Sequence, residues 1–142
     1  MKKIIVDCSV ILALVLHDES SRYADLVAKE FAPYGFHVPS HFNLETGNAL
    51  LMAKRRGRLT AETMQEALHG ISALDPQVDS LTSDCAHQDT LELALKHNLT
   101  LYDAAYLELA IRLEGVLATL DKNLQRAAES EGVLMPHPDP TT

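Results

Sequence analysis

The sequence predicts a doubly wound α/β domain, three layers deep (α/β/α), around a short central parallel sheet. Short apolar runs, of which Ile4-Ile5-Val6 and Val116-Leu117-Ala118-Thr119 are the clearest, alternate with longer segments of helical periodicity. Strands separated by helices run parallel, and the helices then cover both faces of the sheet. An aspartate follows each of those two strands, Asp7 and Asp121. In such sheets the functional crevice lies beyond the carboxyl ends of the strands, where strand order reverses.

Lys3 to Val6 reads as a buried strand, and Ser9 as the N-cap of a helix over Val10 to Leu16. The pattern breaks at His17-Asp18-Glu19-Ser20-Ser21, and helix resumes from Arg22 to Phe31. Pro33-Tyr34-Gly35 is a turn, and Phe36-His37-Val38 a short strand stopped by Pro39. Ser40 caps a long helix to Arg56, ended by Gly57. Thr60 and Thr63 open a helix in capping-box form that stops near Leu74. Gln77 to Leu81 is a weakly patterned third strand. One helix is expected from Ser83 to His97, with Asn98 as its stop, and another from Asp103 to Glu114, ended by Gly115. Val116 to Thr119 is a strand, Lys122 to Ser130 a helix, and Gly132 to Met135 a last short strand. Residues 1–135 form the domain, and the proline-containing tail 136–142 is expected to be extended or disordered.

A chain of 142 residues fits one domain with a real core, and with no Trp and 5% aromatics that core must be mostly aliphatic. No stretch approaches the roughly 20 apolar residues of a membrane span. The basic start meets Asp7 too soon for a signal peptide. Cys8 and Cys85 are too few for a disulfide framework or a thiolate zinc site, and fit a reducing cytoplasm. The net charge of -8 excludes a surface that grips nucleic acid through phosphates over its whole extent. Any such role must rest on a local basic patch, a bound metal or another subunit. The balance equally suits a basic partner or a small-molecule enzyme.

Four acids stand at the edges of apolar runs: Asp7, Glu45, Asp103 and Asp121. Burying ionised carboxylates without a partner is costly, and four together repel one another. If they converge, a hard divalent cation is the natural occupant. Each also has an ordinary explanation. Asp103 and Asp121 can cap helices, and Glu45 can face solvent or the helix dipole. Asp7 is harder to explain as a cap, because Ser9 would serve. Glu45 and Asn48, three apart, share one helical face.

Four segments carry a resemblance: Ile4-Ile5-Val6-Asp7-Cys8-Ser9, Leu44-Glu45-Thr46-Gly47-Asn48-Ala49-Leu50, Leu101-Tyr102-Asp103-Ala104-Ala105-Tyr106-Leu107-Glu108-Leu109-Ala110, and Leu117-Ala118-Thr119-Leu120-Asp121-Lys122-Asn123-Leu124. In this order and spacing they resemble the PIN-domain family of metal-dependent ribonucleases, and within it the VapC-like toxins of bacterial toxin–antitoxin pairs. The resemblance implies a PIN-like fold with Asp7, Glu45, Asp103 and Asp121 in one metal pocket, supported by Ser9, Asn48 and Thr119. It further implies an RNA substrate, a homodimer, and a cognate antitoxin that covers a groove and inserts a basic side chain among the acids. Cys8 after the first Asp and Gly47 beside Asn48 are small departures, and neither removes a carboxylate.

Phosphodiester cleavage needs a strong nucleophile, charge neutralisation at phosphorus and help for the leaving oxygen, which one or two Mg²⁺ ions can supply. Mg²⁺ takes a few carboxylates and keeps several waters, and Mn²⁺ accepts the same oxygen ligands. Asp7 and Asp121, at strand ends, are assigned as direct ligands. Glu45 and Asp103 either ligate, hold metal-bound waters or act as general base. Ser9, Asn48 and Thr119 would orient ligands or touch phosphate. The basic run Lys54, Arg55, Arg56 and Arg58 is either a solvated helix end favourable to the dipole or a contact to RNA phosphates. The seven histidines read as surface or loop residues, Cys8 as a small filler behind the site, and Leu12, Leu14, Leu16, Leu26, Val27 and Phe31 as core or oligomer surface. Two other readings compete: a catalytically silent PIN-like module that binds RNA or protein, and a phospho-accepting receiver or phosphatase. The four acids argue against the first. Ser9 where such a phosphatase needs Asp, and no acid adjacent to Asp7, argue against the second.

Overall fold

The computed structural model describes residues 3–138. In chain order the elements are β1 (Ile4–Val6), α1 (Cys8–Val15), a 3-10 turn (His17–Glu19), α2 (Arg22–Phe31), β2 (His37–Val38), α3 (Phe42–Arg55) and α4 (Ala61–Leu74). There follow β3 (Gln77–Val78), α5 (Thr82–Cys85), α6 (Asp89–His97), α7 (Leu101–Arg112), β4 (Val116–Ala118) and α8 (Lys122–Ser130). The sheet is all parallel, in the order β3-β2-β1-β4. The chain builds outward from β1 through β2 to β3 and then returns to β1's other side with β4. The strand order therefore reverses between β1 and β4, and a crevice opens at their carboxyl ends. This is the doubly wound architecture that the alternation of strands and helices predicts.

The β1–β4 pairing fixes what that crevice contains. Ile4, Ile5 and Val6 register with Val116, Leu117 and Ala118, and the Asp7 amide donates to the Ala118 carbonyl at 3.1 Å. Asp7 thus comes level with Thr119, and a slip of one residue would part the two. Ile5, Val6, Leu117 and Ala118 are fully buried, and each large aliphatic among them contributes on the order of 1.5–3 kcal/mol. Gly115 lets β4 approach β1. A Cβ there would lie 2.4 Å from the Lys3 carbonyl oxygen, which accepts the Val116 amide, and 2.9 Å from Ile5 Cδ1. Gly115→Ala is expected to destabilise the fold by about 1–3 kcal/mol in urea unfolding. A loss under about 0.5 kcal/mol, usual for a surface change, would show that the close approach is not needed.

Several local expectations are corrected. Asp7, and not Ser9, caps α1, accepting from the Val10 amide. Helix α3 begins after His41 with no side-chain cap, one residue later than a Ser40 cap would start it, and the Ser40 amide instead donates to Thr82 Oγ1 at 3.0 Å. The expected helix from Ser83 to His97 is broken into α5 and α6. Exposed His87, Gln88 and Asp89 offer the core nothing there, and the Gln88 backbone leaves the helical region at ψ −110°. Helix α7 starts two residues before Asp103, with Thr100 as its cap. The third strand is only Gln77–Val78, and the last is a single parallel bridge from Leu134 to Leu117. The Thr60–Thr63 capping box forms, and Asn98 ends α6 in the left-handed region at φ 53°. Of the tail, 139–142 lie outside the described residues.

Helix α7 explains a second requirement of the fold. Residues 104–110 are all buried, in a helix packed against β1, β4, α6 and α8. Small Ala104, Ala105 and Ala110 let the backbones approach. Glu108 lies inside this run at 4% exposure. Its carboxylate is answered by Arg112 one turn on, which contacts Oε2 at 2.7 Å and also binds Asp79 with two guanidinium nitrogens.

Candidate functional site

The β1–β4 crevice holds one connected polar network. Thr119 Oγ1 donates to Asp7 Oδ2 and Ser9 Oγ to Asp7 Oδ1, both at 2.5 Å. Each hydroxyl is itself fixed by a backbone amide of the β4–α8 turn. The Asp121 amide donates to Thr119 Oγ1 and the Leu120 amide to Ser9 Oγ, both at 3.0 Å. Asp7 is 5% exposed, and burial pushes its pKa up to about 6 against the opposing pull of the hydroxyl donors. The charge on Asp103 adds to the rise. Asp121 differs from the expected interior acid: it is exposed, and its Oδ1 accepts from the Leu124 amide as the N-cap of α8. The capping explanation holds for Asp121 and Asp7 but fails for Asp103. That side chain is half-buried and pushed up by burial, then by Asp121 and Glu45, with His41 and Thr100 opposing.

Glu45 stands in the first turn of α3 with Oε1 held from two sides. The Tyr106 hydroxyl donates to it at 2.6 Å, and His41 Nε2 lies 3.2 Å away. Tyr106 is buried, and burial and Glu45 together drive its pKa far above the ordinary value, so the phenol keeps its proton as a donor. His41 also lies 3.1 Å from the Tyr102 carbonyl, with its ring edge-on to Tyr106 at 5.4 Å. Neither His41 nor Tyr106 stands out in the sequence. The histidine is not a bystander, and the signals were its four-residue spacing to Glu45 and the three-residue spacing of Asp103 and Tyr106. Cys8 fits its role as filler, since burial and the nearby acids push its thiol up to about 12.

Asp7, Ser9, Thr119 and Asp121 are brought together by hydrogen bonds, and Asp103 and Glu45 act on one another's charge. Asn48 is exposed one turn beyond Glu45 and does not join this network. Lys54, Arg55 and Arg56 are exposed at the far end of α3, about 14 Å along the helix from Glu45. Arg58 is committed to Asp18 and Glu19 at 2.9 and 3.0 Å. Among the described residues, no three His, Cys, Asp or Glu side chains close on one point as a ready-made metal cage. An open group of carboxylates suits a hard cation that keeps most of its waters, as Mg²⁺ does, better than one needing a complete set of protein ligands.

A model of the PIN domain matches residues 4–130. Ribonuclease VapC3 of Pyrobaculum aerophilum is 32% identical over 122 residues, covering 86% of this chain and 92% of that protein. Ribonuclease VapC3 of Mycobacterium tuberculosis is 31% identical over 136 residues, covering 89% and 88%. The crystal structure of PAE2754 from Pyrobaculum aerophilum superposes with a TM-score of 0.67 at 26% identity, covering 90% of this chain and 81% of that one. The first strand, the acid-bearing helices and the β4–α8 turn all fall within the matched span, and the chain belongs to the PIN-domain family, as a VapC-like member.

Proposed function

We propose that the protein is a Mg²⁺-dependent endoribonuclease that hydrolyses RNA phosphodiester bonds, with Mn²⁺ as substitute, and that it is the toxin of a type II toxin–antitoxin pair. One contrast carries the reading. Glu108 and Asp7 are equally buried, at 4% and 5% exposure. Glu108 has a guanidinium beside it, whereas among the described residues Asp7 meets hydroxyl and amide donors and the charge of Asp103. A buried carboxylate without a cation is expensive, and gathering further acids around it makes sense when a cation completes the site. The ribonuclease names of the similar proteins support the same chemistry.

Asp7 and Asp121 would hold the metal, with Asp103 and Glu45 either completing its sphere or taking the proton from the attacking water. When bound, the cation supplies an activated water and neutralises charge at phosphorus. Ser9 and Thr119 aim the Asp7 carboxylate, and Tyr106 pins one oxygen of Glu45. Lys54, Arg55 and Arg56 would meet RNA phosphates away from the chemistry. Exposed Leu44 and Leu51, seven apart on α3, offer an apolar face to a second copy or to the antitoxin.

Purified protein should cut RNA with Mg²⁺ or Mn²⁺, stop with EDTA, and lose activity as Asp121→Ala. Undiminished cleavage by the folded variant in EDTA would overturn the metal reading. Tyr106→Phe should unfold at nearly the parent's urea midpoint yet cut RNA about 10–100-fold more slowly, the usual loss when a ligand's orienting partner goes. Full activity in Tyr106→Phe would mean that Glu45 needs no such hold.

A further inference from the structure

A cavity of about 150 Å³ opens beside the acids, between the start of α3, α5 and the start of α7. His41 and Tyr102 belong to both places. His41 lies 3.2 Å from Glu45 Oε1 while lining the cavity, and Tyr102 lines it from the position before Asp103. Ala86, Leu101 and Ala105 make its lining largely apolar, and no carboxylate, ammonium or guanidinium side chain borders it. Thr90 lines it as well. That residue is 1% exposed, and among the described residues its Oγ1 is the one buried side-chain polar atom without a hydrogen-bond partner. Native structures carry few such groups, because an unmade buried hydrogen bond is costly. Tyr102 is 64% exposed, with its ring 5.8 Å from that of His41.

We propose that this cavity receives a pyrimidine base of the RNA strand, on a nucleotide next to the scissile phosphate, with Tyr102 as the stacking surface. The proposal rests on the ribonuclease reading above. Size favours the smaller base: a cavity of roughly 150 Å³ is known to take one benzene ring, so a single six-membered ring fills it, whereas a fused purine would leave its second ring in the open mouth. Chemistry agrees. A neutral base can lie beside the acid cluster where a second phosphate would be repelled, and the largely apolar lining suits the flat faces of a ring. A chain of net charge -8 gains little from phosphates, so base stacking on an exposed aromatic is where affinity for a single strand can come from.

Two arms test this. In the first, a randomised single-stranded RNA pool is cut by the parent with Mg²⁺ and the new ends are sequenced. Pyrimidines should dominate at one position next to the cut, and Ala86→Leu, which fills the cavity, should erase that preference. In the second, Asp121→Asn protein is titrated with oligouridylate and oligoadenylate, followed by anisotropy. Oligouridylate should bind more tightly, Ala86→Leu should remove the difference, and Tyr102→Ala should weaken binding about tenfold. Urea midpoints close to the parent's show that each variant is folded. Cleavage with no base preference beside the cut, or a preference that survives Ala86→Leu, overturns the cavity assignment and leaves the nuclease reading standing. If no RNA is cut with Mg²⁺ or Mn²⁺, the nuclease reading fails. The second arm then decides the cavity alone: tighter oligouridylate binding lost in Ala86→Leu supports it, and equal affinities overturn it.

Discussion

Asp7→Asn is expected to abolish RNA cleavage, lowering kcat/KM by about a thousandfold or more. Charge stabilisation through a metal is worth several kcal/mol, and each 1.4 kcal/mol or so is tenfold in rate. The substitution keeps the shape of the side chain and its capping of α1, since Asn is as good an N-cap as Asp. It removes the negative charge that Ser9 and Thr119 orient, and with it the reason for gathering Asp103 and Glu45 nearby. The same variant should lose the rise in melting temperature that Mg²⁺ gives the parent, because a cation that binds only the folded chain stabilises it by mass action. A folded Asp7→Asn protein that cuts RNA at the parent's rate would show that the metal site lies elsewhere.

Arg112→Met should destabilise the fold by about 3 kcal/mol in urea unfolding, the lower end for breaking a buried ion pair. Arg112 faces two carboxylates, Glu108 and Asp79, whose side chains are 5% and 11% exposed. Removing it strands Glu108 inside α7. The double variant Arg112→Met with Glu108→Gln should recover much of the loss, and a double variant no more stable than the single would show that the stranded charge is not the cause. The pH dependence follows from the same contacts. Arg112 holds Asp79 below the ordinary carboxylate range, with Thr82 assisting. A depressed folded pKa gives stability that is complete above the unfolded value of 3.8 and is lost as pH falls through the folded one. The parent should therefore weaken on acidification below that value, and Arg112→Met should weaken less steeply there. The link reaches the active crevice, because Thr82 joins Asp79 to the Ser40 amide, next to His41.

Much of this was legible along the chain because the signals are local. The runs Ile4-Ile5-Val6 and Val116-Leu117-Ala118 form parallel strands as expected, and the aspartates after them follow the two strands that flank the switch in strand order. The Thr60–Thr63 box and the Asn98 stop depend only on neighbours a few residues away. The break at Gln88, the uncapped start of α3 and the identity of the α1 cap were not legible. The break follows from which side chains the core takes up, and the α1 cap from which of two nearby polar side chains, Asp7 or Ser9, turns toward the Val10 amide, and both are settled only in the folded chain.

The sequence by itself determined the order of strands and helices and the presence of Asp7, Glu45, Asp103 and Asp121 beside apolar runs, because hydrophobic periodicity and strand ends are properties of adjacent residues. Only the tertiary structure decided which acids are buried and what faces them. Asp121 is exposed, Asp7 is enclosed by hydroxyls, Glu45 is pinned by Tyr106 sixty-one residues away, and Glu108, in the most buried helix, is already neutralised by Arg112. Burial and charge pairing are sums over contacts distant in sequence, so an acid held by an arginine is told from one free to take a metal only after the chain has folded.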